Sequence, residues 1–322
     1  MTQGKPQILI TRALPSAVLD RADDDYVTTI NYDDTVFAGN ALVAASQGMD
    51  GLLISSSEQL TAAVIAELAD TVGIVATYSV GYEHIDLVAA TARGIVVSNT
   101  PDVVTDSTAD QAMTLMLGAA RRAAEADAMV RAGRWVGWTP THMLGTHITG
   151  KRLGIVGMGR IGQAVARRAR GFDLKIHYHN RTRLAVAEEA GAVYHADVDS
   201  LLGISDFLSL HCPVTPETSR LLNARRIALL PDGAVVVNTA RGSIVDDTAL
   251  IAALKSGKVG AAGLDVYDGE PALNPEYRTL INTCLAPHLG SATLETRNAM
   301  GFRALDNLDA FFAGRDPGDR LA

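Results

Sequence analysis

Short aliphatic runs recur through the first hundred positions, at residues 7–11, 26–30, 51–55, 72–77 and 94–98. Most are near-continuous in Ile, Val and Leu, and Ala/Leu-rich stretches such as 60–69 separate them. Strands that are apolar on both faces and joined by helices predict a parallel sheet covered on both sides. The rhythm resumes at 153–156 and continues at 174–179, 206–210, 234–238, 260–264 and 283–286. The predicted fold class is α/β, with two doubly wound parallel sheets.

Between the two series, Thr100-Pro101-Asp102 breaks the pattern. Proline biases Thr100 away from helix, and Asp102 or Thr105 can cap a helix starting just beyond it. Residues 103–133 read as one helical stretch with Gly133 as its stop, and the first domain crossing is placed here. Residues 134–150 read as irregular and carry both tryptophans, Trp135 and Trp138. At the far end, residues 294–313 form an amphipathic pattern with Met300, Leu305, Leu308, Phe311 and Phe312 on one stripe and Gly314 beyond it. The first sheet lacks a final layer, so this helix is expected to cross back onto it and make that domain discontinuous.

Residues 151–183 carry the most specific local signal. A short strand runs into Gly157-Met158-Gly159-Arg160-Ile161-Gly162, a complete G-x-G-x-x-G, and a helix-forming segment continues from Ile161. Gly157 allows the tight turn, Gly159 lets backbone approach a pyrophosphate, and Gly162 lets helix and strand pack closely. A second strand at βαβ distance makes this a dinucleotide site. Where NAD-binding chains place an acidic residue about twenty positions on, this chain has Asn180, followed by Arg181, Thr182 and Arg183. A neutral amide does not repel a 2′-phosphate and a guanidinium can fork onto it, so the expected cofactor is NADP, with NADPH preferred and NAD possible. The alternative is that both arginines are solvated turn residues.

Composition narrows the rest. The 322 residues are 48% hydrophobic, enough for two cores, and the net charge of −8 with no basic run gives no nucleic-acid or anionic-membrane surface. Two isolated cysteines, Cys212 and Cys284, fit a reducing cytoplasm better than a disulfide framework. The aliphatic run near the amino terminus is too short for a secretory signal, and no stretch approaches membrane-spanning length. His177 and His179 alternate on a predicted strand but have no third ligand nearby in sequence, so no metal is expected.

Ligands of doubly wound sheets bind beyond the carboxyl ends of the strands. Polar clusters gather there: His211-Cys212-Pro213, Thr239-Ala240-Arg241-Gly242, Asp265 and Pro287-His288.

Taken with the 79–86 segment SVGYEHID, the Thr100-Pro101 hinge, Thr108-Ala109-Asp110, Thr215-Pro216-Glu217-Thr218, Glu270-Pro271 and the 287–293 segment PHLGSAT, these motifs make the chain resemble the D-isomer-specific 2-hydroxyacid dehydrogenase family over nearly its full length. The Ser79-Val80-Gly81 form of the first motif, the 180–183 turn and the Trp138 segment resemble its glyoxylate and hydroxypyruvate reductase branch. The resemblance implies a Rossmann cofactor domain at 102–290 inserted into a flavodoxin-like substrate domain at 1–101 plus 291–322. It also implies a homodimer and NADPH-dependent reduction of a small 2-keto acid.

The residues matching the family's motifs take roles on that basis. Arg241 would hold the substrate carboxylate in a planar fork, His288 would be the proton donor, and Glu270 would stabilise the charged imidazole. Ser79, Val80 and Gly81 would offer backbone N–H groups to the carboxylate. Thr108 and Asp265 would contact the nicotinamide end, with His211, Cys212, Pro213, Thr218, Thr239, Ala240 and Gly290 lining the cofactor. Trp138 is open to two readings, a pocket-closing residue, from a partner subunit or its own, and a buried tryptophan. Two rival functions remain: reduction of another 2-keto acid such as 2-ketogluconate, and a dinucleotide-sensing binding protein resembling the transcriptional corepressors of this fold.

Overall fold

The computed structural model describes residues 4–322; residues 1–3, the start of the segment read against a secretory signal, lie outside the described residues. The chain divides into two compact units. One runs up to Val104 and takes in Ala292–Ala322, and the other is Thr105–Ser291.

The first unit holds a five-stranded sheet of β1 (Gln7–Ile10), β2 (Val27–Ile30), β3 (Gly51–Ile54), β4 (Ile74–Thr77) and β5 (Val96–Ser98). The order is β2-β1-β3-β4-β5 and every pairing is parallel. β3 and β4 are buried at every position, as near-continuous aliphatic runs require when both faces are covered. The helix Leu294–Phe312 packs against β4 and the helix Ser16–Asp25, burying Met300, Leu305 and Leu308 while Phe311 and Phe312 are partly covered. Gly301 lies where a side chain would run into Val18, which lets the two helices approach.

Beyond that helix the chain returns to the sheet edge. Leu321 N–H donates to Val97 O at 2.7 Å, and Asp319 accepts from Arg303 through Nε and Nη2, each at 2.7 Å.

The second unit holds seven strands: β6 (Arg152–Val156), β7 (Lys175–His179), β8 (Val193–Tyr194), β9 (Phe207–Leu210), β10 (Ala234–Asn238), β11 (Val259–Leu264) and β12 (Thr283–Leu285). Their order is β12-β11-β10-β9-β6-β7-β8, all parallel, with the direction of winding reversing at β6 and β9. That is the dinucleotide-binding arrangement with one added strand, and its switch point lies beside the glycine turn. β8, only two residues long, went unpredicted.

The single helix predicted at 103–133 is instead two, Thr105–Ala120 and Ala123–Arg131. Arg122 sits between them in the left-handed region at φ 55°, held by two bonds to Glu125. The break has a long-range cause: Ala120 O accepts the N–H of Thr146 from the irregular segment, a partner outside the helix. The first helix is largely buried, whereas the second buries no residue.

The irregular segment leaves Trp138 80% exposed and Val136 99% exposed, which excludes the buried reading of Trp138 within this chain. Among the described residues, no helix is long and apolar enough to cross a membrane.

Candidate active site

The glycine turn joins β6 to the helix Arg160–Arg170. Gly157 has φ 96°, and a side chain there would strike the backbone of His211 and Cys212, so both conformation and space demand glycine. A side chain at Gly162 would collide with Gly157 O, whereas one at Gly159 would meet nothing within 4 Å. Gly159 also provides no side-chain cap to the helix it opens. The helix opens at Arg160, directly beyond this unfilled side of Gly159, and a helix N-terminus approached by bare backbone is a place where a phosphate is bound well.

At the end of β7, Asn180 is drawn into this turn: its Oδ1 accepts the Met158 N–H at 2.6 Å. Arg183 is engaged elsewhere, bridged to Glu189 at 2.7 Å. Arg181 and Thr182 are exposed between them.

His288 follows β12 and adopts φ 56°, a conformation costly for a residue with a β-carbon. Three backbone bonds impose it. Asp265, buried at the end of β11, accepts the His288 N–H through its carbonyl at 2.8 Å. Its carboxylate accepts Leu289 N–H at 2.7 Å and Gly290 N–H at 2.8 Å. Ser107 and Thr108 hydroxyls donate to Gly290 O from the other side, at 2.7 and 3.2 Å.

The loop so held brings His288 Nδ1 to 2.5 Å from Glu270 Oε1. The Glu270 carboxyl is pulled up by burial, yet the hydrogen bond and charge of His288, the Tyr267 N–H and the Arg241 charge outweigh this and leave it below its ordinary value. The carboxylate is thus kept ionised beside the ring.

Arg241 follows β10. Asn238 shapes its turn, donating to Arg241 O at 2.9 Å and accepting Ala240 N–H at 3.0 Å, while Arg241 Nη1 donates to Ala240 O at 2.7 Å. Thr239 Oγ1, two residues earlier, is buried with no partner among the described residues.

In the first unit, the turn after β4 has its carbonyls occupied. Thr100 N–H donates to Ser79 O, Asn99 Nδ2 to Val80 O and Ser79 Oγ to Gly81 O, at 2.9, 2.8 and 2.6 Å.

A family model described as the D-isomer specific 2-hydroxyacid dehydrogenase NAD-binding domain matches residues 113–290. The chain belongs to this dehydrogenase family.

The dehydrogenase is 44% identical to the glycerate dehydrogenase of Hyphomicrobium methylovorum, over 99% of this chain and 100% of that one. It is also 44% identical to the glyoxylate reductase of Thermococcus litoralis, over 97% and 96%. Among solved structures it resembles an NADPH-dependent glyoxylate/hydroxypyruvate reductase from Sinorhizobium meliloti in complex with NADP and malonate, with a TM-score of 0.88, 34% identity and coverage of 99% and 97%. It is an oxidoreductase that reduces 2-keto acids with a nicotinamide dinucleotide. The open side of Gly159 at this helix N-terminus fits the pyrophosphate of that cofactor, and residues 157–162 would hold it.

Other residues singled out from the sequence are placed less directly. The His211 ring is tied to Ser209 Oγ at 2.8 Å, and burial pushes its pKa down to about 4, which favours the neutral ring. Burial pushes the Cys212 thiol up to about 11, leaving it protonated and unreactive. Thr218 Oγ1 donates to Pro213 O at 2.7 Å, closing the loop after β9 on itself.

A third histidine does approach the pair on β7. His195 Nε2 lies 3.0 Å from His177 Nδ1, and His179 Nδ1 lies 2.9 Å from His195 O. The contacts are chained rather than convergent, and among the described residues no group of three or more His, Cys, Asp or Glu is arranged to hold a metal.

Glu189 was missed, since nothing in the Ala-rich stretch around it shows that its carboxylate turns inward, and Asn238, at the end of the aliphatic run 234–238, was given no role of its own.

Proposed function

We propose that this dehydrogenase reduces glyoxylate and hydroxypyruvate to the corresponding D-2-hydroxy acids with NADPH. The observation that carries the reading is the His288–Glu270 pair at 2.5 Å, held by the buried Asp265. When bound, the reduced nicotinamide supplies a hydride to the carbonyl carbon. Glu270 engages Nδ1 of the imidazolium, which leaves the Nε2 proton for the ketone oxygen. Arg241 grips the substrate carboxylate, and in the first unit the turn Ser79-Val80-Gly81 is assigned backbone N–H groups for a carboxylate. Thr108 and Asp265 face the nicotinamide end, and Thr239, Ala240, Pro213 and Gly290 line the cofactor.

The cofactor preference rests on the turn at 180–183, which itself carries no carboxylate and leaves Arg181 exposed, with the Glu217 carboxylate near enough to interact with its charge. The names of the relatives support the choice of substrate. Exposed Trp135, Val136, Trp138 and Leu144 on one segment support a homodimer. The free thiols Cys212 and Cys284 suit the cytoplasm.

Initial rates for glyoxylate, hydroxypyruvate, 2-ketogluconate, pyruvate and a branched-chain keto acid, each with NADPH and NADH, test the proposal. The two small substrates should lead in kcat/KM, with NADPH ahead by about tenfold, or roughly 1.4 kcal/mol. A 2-ketogluconate preference would overturn the substrate assignment, and equal use of both cofactors would overturn the cofactor assignment.

A further inference from the structure

The turn after Asn180 is fastened at both ends, at its start to the glycine turn and at its end by a cluster of side chains that the chemistry does not use. At its start, Asn180 Oδ1 takes the Met158 N–H of the glycine turn at 2.6 Å. At its end, Arg183 places Nε 2.7 Å from Glu189 Oε1 and Nη2 3.1 Å from Oε2. The Tyr178 hydroxyl donates to the same carboxylate at 2.7 Å and accepts the Leu184 N–H at 3.1 Å. Arg170 donates to the Glu189 carbonyl at 3.0 Å, and the Arg183 guanidinium lies over the Tyr194 ring, 5.6 Å from its centroid. Tyr178 is fully buried and Glu189 is 5% exposed.

A carboxylate this deep is tolerated because its oxygens are met by a forked guanidinium and a hydroxyl. The hydrogen bonds from Arg183 and Tyr178 hold the Glu189 carboxyl below the usual range. Only Arg181 and Thr182 lie between the two fastenings.

We propose that Glu189 is a positioning residue for recognition of the cofactor's 2′-phosphate. By locking Arg183 and, through Tyr178, the backbone at Leu184, it fixes the two-residue span and presents Arg181 as the guanidinium that meets the phosphate. Ordering that span in advance lowers the entropic cost of binding. The inference rests on the proposed use of NADPH and adds to it the residue that sets the geometry.

Calorimetric titration of E189Q, R183K and R181A with NADPH and with NADH tests it. E189Q keeps the shape but loses the charged fork, so NADPH binding should weaken about fivefold to tenfold while NADH binding changes less than about twofold. R183K loosens the same clamp from its exposed side and should give the same selective loss, so the test stands if E189Q does not fold. NADPH binding that is unchanged or tighter in the folded variants would overturn the proposal, since a released Arg183 would then be neutral or itself the phosphate ligand. R181A separates the two levels. If it weakens NADPH selectively and E189Q does not, the positioning role alone falls. If R181A leaves the NADPH to NADH ratio unchanged, the 2′-phosphate reading fails and the inference falls with it.

Discussion

His288 Nδ1 and Glu270 Oε1 lie 2.5 Å apart, on two loops that belong to the same unit but are eighteen positions apart in the chain. The contact exists because Asp265 captures the N–H groups of Leu289 and Gly290 and holds His288 at φ 56°. A strained histidine beside an ionised carboxylate suits a proton donor that must be recharged in every turnover.

Replacing Glu270 with glutamine keeps a hydrogen-bonding oxygen and removes the charge that favours the protonated ring. The pH at which keto-acid reduction declines on the alkaline side should move down. Loss of a negative charge disfavours the imidazolium, so the direction is fixed. A profile of kcat/KM against pH checks it, and an unshifted limb would remove Glu270 from the mechanism.

Asp265→Asn presents an amide where two backbone N–H groups now donate. One of them loses its acceptor, a cost of about 1–3 kcal/mol when buried, and the conformation of His288 loosens. The expected outcome is a drop in kcat of about tenfold or more with a smaller change in keto-acid KM. Steady-state kinetics with saturating cofactor decide it.

Asp319 ties the carboxyl-terminal tail to the helix Leu294–Phe312 through Arg303 and Asn307. Its pKa is lowered, first by the Arg303 hydrogen bond. A depressed carboxylate stabilises the fold above its unfolded pKa, and that contribution is lost as pH falls through the folded value. Asp319→Asn should therefore destabilise by about 2–3 kcal/mol near neutrality. The gap from the unaltered protein should narrow below about pH 4. Thermal denaturation across pH measures both.

The sheets were legible because strands buried on both faces must be written as aliphatic runs, and β3, β4 and β10 are buried at every position. The glycine turn was legible because Gly157 takes φ 96° and a side chain at Gly162 would strike Gly157 O, both demands within the turn itself. What escaped depends on partners distant in sequence. The break at Arg122 rests on Thr146 reaching Ala120 O, and the turn at Asn180 on a side chain folding back to Met158. Glu189 sits in the four-residue helix Val186–Glu189, where a glutamate ordinarily faces water; only the fold brings Tyr178 and Arg183 to it. The pattern marked the polar loops beyond the strand ends, while the contacts that hold them were set by three-dimensional packing.

In the proposed reaction His288 protonates, and Arg241 anchors, a small 2-keto acid during hydride transfer. The most direct test is NADPH consumption on addition of hydroxypyruvate to the unaltered enzyme and to H288Q, with the chirality of the product determined. The expected result is D-glycerate from the unaltered enzyme and a rate at least about a hundredfold lower in H288Q, within the range for loss of a general acid. Turnover of H288Q at the unaltered rate, or L-glycerate as product, would contradict it.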